Sequence, residues 1–330
     1  MLATIPEANE LIRRGTCLMI AGSQESLGAL EPGNWIGGSI PYFMTAAGGL
    51  CDRTKVYIDE VQLPVTCWKI ATYTADTLRT IGTDAYDNGF SYIIIPANSR
   101  AHLEYALHAP EYPEIFLKPV IGWIAGVHLD DLQKAAAVVF DGRNATCLAE
   151  GAVVLHVELP IGCQPMVHTV NLFRPGTGPT IRFPQAGFDA GSATVDDQTV
   201  NFAAYLRQDR FDASLPLVAD YAGTDVNVSI KAVDDAAGRV SFYAPVFPGV
   251  DYHLAAPVPN YAEAFAAQVP KHAHPLLACN CILNYLFGEL EGKRTAPFVG
   301  PITFGEIAHQ LVNQTLVYLA CEEPAADSGS

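Results

Sequence analysis

Basic residues are scarce in this sequence, and no run of them is longer than a pair. The 330 residues include 19 Lys and Arg against 35 Asp and Glu, which gives a formal net charge of −16. Adjacent basic residues occur only at Arg13-Arg14 and Lys293-Arg294. Because such a chain would repel a phosphate backbone, we expect no nucleic acid partner.

Long apolar runs and targeting signals are also lacking. The longest runs, such as Ala135 to Phe140, are far shorter than the roughly 20 residues that a membrane-spanning helix needs. The first residues include Glu7, Glu10 and Arg13 and do not have the order of regions found in a signal peptide. We therefore expect a cytoplasmic protein that does not associate with a membrane.

Cysteines are present, but the spacing of disulfide or zinc motifs is not. The eight Cys residues are scattered, and none form a C-x-x-C pair. In a chain of this length that pattern predicts reduced thiols rather than a disulfide framework. Half of the residues are hydrophobic, so a sizeable core is expected.

The first helix has a clear start signal. Thr4-Ile-Pro-Glu7 has the pattern of a capping box, in which a hydroxyl and a carboxylate bond the first free backbone N–H groups. It predicts a helix from about Pro6 to Arg14, closed by Gly15.

Short apolar runs separated by turn residues continue along the chain and predict strands. The segment Ala135 to Val157 predicts an antiparallel meander. Because both halves mix helix with antiparallel strand, the predicted class is α+β, with two domains that each hold a largely antiparallel sheet and packed helices. The polar stretch Gln208 to Pro216 sets the predicted domains at residues 1–209 and 210–322. Residues 323–330 are small and acidic and are predicted to be disordered.

Two stretches in different halves of the chain predict a binding pocket. Gly37-Gly38-Ser39 precedes a proline, so its backbone is expected to turn tightly or to approach another group closely. An apolar run ends at Cys281, and Gly305-Glu306 places a carboxylate within an otherwise uncharged segment. We predict that Gly38, Ser39, Cys281, Gly305 and Glu306 bind a small-molecule ligand at the interface between the two domains.

A carboxylate in an apolar segment needs a partner if it is buried, because an unpaired buried charge is costly. His309 is close enough in sequence to Glu306 to be that partner, or to bind a cofactor, and is included among the predicted ligand-binding residues. As an axial ligand His309 would make haem a possible cofactor. Covalent haem is excluded because the sequence has no C-x-x-C-H motif.

Two chemical alternatives use the same region. In the first, Cys281 is a nucleophile with His309 or His274 as its base, which requires a reactive thiol. In the second, His272 and His274 bind a metal together with Cys279 and Cys281. Pro275 bends the chain between the two pairs, and both Cys positions suit a buried strand, so we expect no metal site.

Several short motifs resemble the FIST family, whose members have an N-terminal and a C-terminal FIST domain. The C-terminal motifs are Arg239 to Gly249, Leu276 to Cys281, Phe304-Gly-Glu-Ile-Ala308 and Asn313-Gln-Thr-Leu316. The N-terminal motifs are Gly37-Gly-Ser39 and Gly151 to Leu155. Members often carry an Arg shortly after the Cys, and Cys281-Ile-Leu-Asn284 has none, so a ligand contact through that Arg is not expected.

The resemblance implies a sensory role. FIST proteins are thought to bind small ligands, some bind haem and respond to nitric oxide, and many act beside signalling proteins. This chain has no room for a kinase or cyclase domain, so a separate signalling protein is the implied partner. Together with the residue patterns, this predicts a small-molecule sensor or carrier in which Glu306 binds rather than catalyses.

Overall fold

A computed structural model describes residues 1–61, 64–208, 211–221, 223–271 and 273–322. The predicted disorder of residues 323–330 and the role considered for His272 lie outside the described residues. The protein is mixed α/β, with 18% helix and 41% strand arranged in several sheets. None of the described helices has the length and apolar character needed to cross a bilayer.

Short strands make up most of the regular structure. In chain order they are β1 (Leu2–Ala3), β2 (Leu18–Gly22), β3 (Trp35–Ser39), β4 (Tyr42–Thr45), β5 (Gly48–Cys51), β6 (Val56–Glu60), β7 (Cys67–Tyr73), β8 (Gly89–Pro96), β9 (Val120–Ala125), β10 (Val139–Asp141), β11 (Thr146–Leu148), β12 (Ala152–Glu158), β13 (Gln164–Val170), β14 (Ile181–Arg182), β15 (Gly187–Ala190), β16 (Ser192–Val195), β17 (Gln198–Asn201), β18 (Leu217–Tyr221), β19 (Thr224–Val228), β20 (Ile230–Asp234), β21 (Arg239–Val246), β22 (Tyr252–Leu254), β23 (Leu277–Cys281), β24 (Gly300–Thr303), β25 (Glu306–Ala308), β26 (Gln310–Val312) and β27 (Leu316–Glu322).

The helices are short. They are α1 (Ile5–Arg13), α2 (Gln24–Gly28), α3 (Ile81–Asp84), α4 (Arg100–His108), α5 (Phe202–Gln208), α6 (Tyr261–Gln268) and α7 (Ile282–Phe287), with 3-10 turns at Leu78–Thr80, Ala109–Glu111 and Leu129–Asp131. The capping box that predicts α1 is confirmed, since Glu7 Oε2 accepts from both the Thr4 backbone N–H at 2.8 Å and the Thr4 hydroxyl at 2.7 Å.

The chain divides into two compact units. The first consists of Met1–Val170, Val269–Leu311 and the described part of Leu316–Ser330, and the second of Asn171–Gln268 and Val312–Thr315. These units are bounded differently from the predicted domains at residues 1–209 and 210–322. The division into two FIST-like domains rests on the sequence resemblance and stays a prediction.

Three six-stranded sheets build the first unit. Sheet one has the order β1-β6-β2-β3-β10-β11, sheet two β7-β12-β8-β9-β25-β26, and sheet three β13-β27-β23-β24-β4-β5. Each has a parallel pair at its centre, β2/β3, β8/β9 or β23/β24, with an antiparallel strand on either side of it. Each central pair is joined by a helix, α2, α4 or α7. The three sheets therefore share one topology.

The three sheets also exchange strands in a cycle. The hairpin that follows each central pair joins another sheet: β4/β5 extends sheet three, β10/β11 sheet one and β25/β26 sheet two. The chain then returns to its own sheet through β6, β12 or β27. This is a threefold internal repeat with exchanged hairpins, and it makes the first unit a single interlocked body.

The exchange corrects the prediction of a meander over Ala135 to Val157. β10 and β11 form a hairpin in sheet one, whereas β12 belongs to sheet two. Turn residues predict where a strand ends, but not which strand lies beside it.

The prediction of reduced thiols fails for two of the eight cysteines. Cys163, just before β13, forms a disulfide with Cys321 in β27, and their Cα atoms are 6.1 Å apart. The two residues are 158 positions apart in sequence, and only the antiparallel pairing of β13 with β27 brings them together.

Sheets one and two of the first unit pack closely where one of them has a glycine. A Cβ at Gly38 in β3 would lie 2.5 Å from Ile94 Cγ2 in β8 and 2.7 Å from Trp123 Cη2 in β9. Atoms at those separations overlap, so sheet one can approach sheet two only if residue 38 is glycine. Gly38 therefore acts in packing.

The second unit is a separate antiparallel body. Sheet four has the order β17-β16-β14-β22-β18-β19 and sheet five β15-β21-β20. In its core the Phe183 ring packs edge-on against Phe202, Phe242 and Tyr252. Buried Asn313 accepts hydrogen bonds from the Ser229 backbone N–H at 3.1 Å and from its hydroxyl at 2.8 Å. The Asn313-Gln-Thr motif is thus used to hold its own segment in place.

Replacing Gly38 by Val should lower the free energy of unfolding by about 1–3 kcal/mol, because the added atoms overpack a filled contact. Gly28→Ala in α2 is the control, since a Cβ there meets nothing within 4 Å, and its expected change is at most about 1 kcal/mol and stabilising. Urea denaturation measures both. Equal unfolding midpoints for the two variants would contradict this account of Gly38.

Candidate functional site

The carboxyl ends of β3 and β9 are joined by a pair of close hydrogen bonds. The Gly126 N–H donates to the Ser39 carbonyl at 2.7 Å, and the Ser39 hydroxyl donates to the Gly126 carbonyl at 2.8 Å. The same hydroxyl accepts from the Val138 N–H at 2.9 Å. Ser39 is buried, and its hydroxyl is committed to the backbone of its neighbours.

The carboxyl end of β24 meets the same point. A Cβ at Gly126 would lie 2.5 Å from the Phe304 ring, so the ring packs directly on the glycine backbone. Ile124 donates its N–H to the Gly305 carbonyl at 2.8 Å, and its carbonyl accepts from the Phe304 N–H at 3.1 Å. The ends of three central strands, one from each sheet, thus converge. The carboxyl ends of parallel strands are a common place for ligand sites in α/β proteins.

Thr303 links the predicted residues of the C-terminal half. Its hydroxyl lies 3.0 Å from Glu306 Oε1, 3.1 Å from the Gly305 carbonyl and 3.3 Å from the Asn280 carbonyl. Its single proton can be donated to one of these oxygens at a time. Glu306 is 0% exposed, so the carboxylate is buried as expected, and Thr303 rather than His309 contacts it.

The two cysteines of β23 are buried as well. Cys281 is 1% exposed and lies at the start of α7. The Cys279 thiol donates to the Gly122 carbonyl at 3.3 Å. Burial, together with the nearby Glu306 carboxylate, raises the pKa of Cys279 well above its usual value. This keeps the Cys279 thiol in its protonated, unreactive form.

His309 lies at the opposite end of β25. That strand runs antiparallel to β9, so Glu306 is opposite Trp123 whereas the His309 N–H bonds the Val120 carbonyl. His309 Nδ1 donates to the Ile115 carbonyl at 2.9 Å, and burial lowers the pKa of the imidazole. The structure therefore brings five predicted residues, Gly38, Ser39, Cys281, Gly305 and Glu306, to one end of the first unit and places His309 elsewhere.

Two clefts open beside the converging strand ends, and both are walled by Gly126, Val127, Ala135 and Ala136. The first has a cavity volume of about 80 Å³ and the second about 220 Å³. Polar residues in the first include Ser23, Ser39, Arg53, His128 and Asp131. Those in the second include Asn98, Ser99 and Glu150, and Phe304 is among its apolar residues. Ser39 is the one predicted residue that lines either cleft.

The polar groups of the first cleft are held in fixed positions. Arg53 forms an ion pair with Asp131 at 2.8 Å, and its carbonyl accepts from the Ser23 hydroxyl at 2.8 Å. The His128 ring stacks on Tyr42 with 5.4 Å between ring centroids, and its Nδ1 accepts from the Asp130 N–H at 3.1 Å. This cleft therefore offers a cation, an anion and an imidazole without rearrangement.

The second cleft begins at the amino end of α4. The Ser99 hydroxyl accepts from the His102 N–H at 3.0 Å, and Glu150 Oε2 accepts from the Arg100 N–H at 2.9 Å. Two backbone donors of the helix are thus already bonded by the chain's own oxygens. The Glu150 side chain is exposed and its carboxylate faces this cleft.

Metal-binding side chains do not gather in the described part of the chain, where no three His, Cys, Asp or Glu residues are placed to share an ion. His274 is exposed, whereas Cys279 and Cys281 are buried.

A buried chain of hydrogen bonds in sheet two was not predicted. The Ser91 hydroxyl lies 2.7 Å from His156 Nδ1, His156 Nε2 lies 2.9 Å from the Tyr73 hydroxyl, and that hydroxyl donates to Asp84 at 3.0 Å. The order resembles the relay of serine hydrolases. Ser91 and His156 are both 0% exposed, however, so no substrate reaches the serine and the chain instead ties α3 to the sheet. The one sign of this hydrogen-bond chain in the sequence is the position of His156 within an apolar strand.

This chain of hydrogen bonds should make stability depend on pH. Burial lowers the pKa of His156 from 6.5 to about 4, so the unfolded chain binds more protons between those values. The contribution of His156 to stability should be full above pH 6.5 and fall by about 3 kcal/mol as the pH drops to about 4. Burial raises the pKa of Asp59 to about 7, which acts in the opposite direction over the same range, so the His156 contribution is read from the difference between the wild type and a variant without this histidine. Urea denaturation at several pH values measures this.

His156→Gln, which removes the titrating group, should abolish that contribution, so the variant should lose about 3 kcal/mol less than the wild type over this range whatever its own stability. His108→Gln, on the exposed side of α4, should keep it. An unchanged pH slope in His156→Gln would show that another group is responsible.

The geometry defines a mixed α/β protein whose first unit gathers the carboxyl ends of three parallel strand pairs beside two clefts. The chain belongs to a family of unknown function, DUF6976, whose family model matches residues 3–322. No curated protein matches the sequence. The family match bears neither for nor against the resemblance to FIST proteins, which stays a prediction.

Proposed function

We propose that this protein binds a small molecule in the clefts of its first unit and serves as a sensor or a carrier. The observation that carries the proposal is the convergence of three strand ends on Gly126, with a cleft on either side of the shared wall. Strand ends held by backbone hydrogen bonds provide a rigid frame, and the residues beyond them supply the variable polar groups.

Cleft size and chemistry limit the ligand. Volumes of about 80 and 220 Å³ are below the 300–1,000 Å³ typical of pockets for drug-sized ligands. A ligand of the size of a small metabolite is therefore favoured over a large cofactor. The fixed Arg53–Asp131 pair suits a molecule with both an acceptor and a donor, because each charged group can bond one of them.

The predicted residues take a supporting role in this proposal. Ser39 and Gly38 fix the end of β3, and Thr303 and Glu306 fix the turn between β24 and β25. Ligand contact falls to residues of the clefts, such as Arg53, His128 and Glu150. Both clefts lie within the first unit, whereas the sequence predicted the ligand between two domains.

The FIST resemblance supports the sensory part of the proposal. We retain with it the division into FIST-like domains at residues 1–209 and 210–322, a cytoplasmic location and a separate signalling protein as partner. A carrier role requires no such partner.

Haem remains the alternative ligand, because the His309 Nδ1 bond to a carbonyl leaves Nε2 free of its proton, as in many metal-bound histidines. His309 lines neither cleft. A Soret band that appears on adding hemin and is lost in His309→Ala would favour haem. The alternative of a Cys281 nucleophile is opposed by the burial of that residue.

Filling the shared wall should weaken binding. Ala136 is exposed and lines both clefts, so Ala136→Leu should lower the amount of any small molecule that co-purifies with the protein at least several-fold without unfolding it. Ala267→Leu, at an exposed position on α6, is the matched control. Native mass spectrometry, with identification of the released molecules, measures both.

The proposal fails if the wild-type protein retains no small molecule from a cell extract. It also fails if Ala136→Leu retains as much as the control.

A further inference from the structure

A third cleft lies away from the converging strand ends. It has a cavity volume of about 170 Å³ and is lined by Cys17, Glu60, Val65, Trp68, Leu155 and Val157, among others. Trp68 in β7 lies directly opposite Val157 in β12, and Leu155 is two residues along the same strand, so the three share one face of sheet two. Glu60 ends β6 in sheet one.

The lining of this cleft is mostly apolar, and its volume is large enough for a small ligand. An engineered cavity of about 150 Å³ lined by apolar side chains binds benzene, so the volume here suits one aromatic ring or a short branched chain. Burial raises the pKa of Cys17 to about 12, which keeps its thiol neutral and adds it to the apolar wall.

Two polar groups of the cleft have no partner in the part of the chain that the structure describes. Among the described residues, neither the Glu60 carboxylate nor the Trp68 indole N–H makes a hydrogen bond or an ion pair. Both side chains are half-buried. Of the described residues, the other one that lines the cleft with a polar or charged side chain besides the Cys17 thiol is Thr16, so none of them places a positive charge beside the carboxylate.

These features favour a ligand that has a positive charge and an apolar part. An anionic carboxylate beside apolar surface attracts a cation, and an indole face attracts a cation placed over the ring by about 0.5–1 kcal/mol when exposed and more when desolvated. An anionic ligand would be repelled by Glu60, and a neutral ligand would leave the carboxylate unpaired.

We propose that this cleft binds small amphipathic ammonium compounds, with the charged nitrogen between Glu60 and Trp68 and the apolar body against Leu155 and Val157. The site is independent of the clefts at the strand ends, so it can exist whether or not the proposed function is correct.

Three probes of matched size separate the contribution of ligand charge from that of the apolar ring. They are phenethylammonium as the cation, 2-phenylethanol as the neutral analogue and phenylacetate as the anion. Trp35 and Trp123 are buried, so Trp68 is the partly exposed one of the three tryptophans and its fluorescence should report occupancy. Titrations at physiological ionic strength limit the diffuse attraction of cations to a chain of charge −16. We expect saturable binding of the cation, about fivefold or more weaker binding of the alcohol, and weaker binding still of the anion.

Substitutions of Glu60 and Trp68 test the role of each residue in binding. Glu60→Gln should bring the affinities for cation and alcohol to within about twofold of each other, whereas Glu263→Gln, an equal loss of charge on α6, should leave the preference intact. By calorimetry Trp68→Phe should retain cation binding and Trp68→Leu should lose most of it. The proposal is overturned if the wild type binds all three probes alike or none of them, or if Glu60→Gln behaves like Glu263→Gln.

Discussion

The contact between Ser39 and Gly126 is the constraint on which the first unit depends. It joins two sheets where their central strands end, and it uses both the backbone and the hydroxyl of Ser39. Removing that hydroxyl would leave the buried Val138 N–H without its side-chain acceptor, and an unsatisfied buried donor costs about 1–3 kcal/mol. The Phe304 ring rests on the other side of the same glycine, so sheet three is positioned by the contact that holds sheets one and two together.

The threefold repeat explains why this contact becomes a site. Each repeat ends its central strands at the same place and gives its next hairpin to a neighbouring sheet. Three equivalent ends therefore meet, and the loops that follow them surround the meeting point. The loops of the three repeats differ in sequence. One carries Ser23 before α2 and another carries Asn98 and Ser99 before α4, so the two clefts have different chemistry within one frame.

Local signals in the sequence predicted local structure. The capping box at Thr4 follows from residue types alone, and the structure has it. A carboxylate in an uncharged stretch indicated burial, and Glu306 is buried. The sequence left His309 either as a partner of Glu306 or as a cofactor ligand. A strand advances about 3.3 Å per residue, which carries His309 to the far end of β25.

Features that depend on distant residues were not predicted. Neither strand exchange nor the Cys163–Cys321 disulfide leaves a local pattern, because each depends on which strands become neighbours. The clefts escaped prediction for a related reason. Their shared wall includes two alanines and a glycine beside Val127, and the small size of these three residues matters only once Phe304 and the strand ends surround them.

The most direct test of small-molecule binding at the strand ends is hydrogen–deuterium exchange of the first unit with and without the molecule that the native protein retains. We expect protection to concentrate at Gly126 to His128, at Ala135 to Ala137 and at Asn98 to Arg100. Protection confined to residues 171–268, or exchange that the retained molecule does not change, would contradict it.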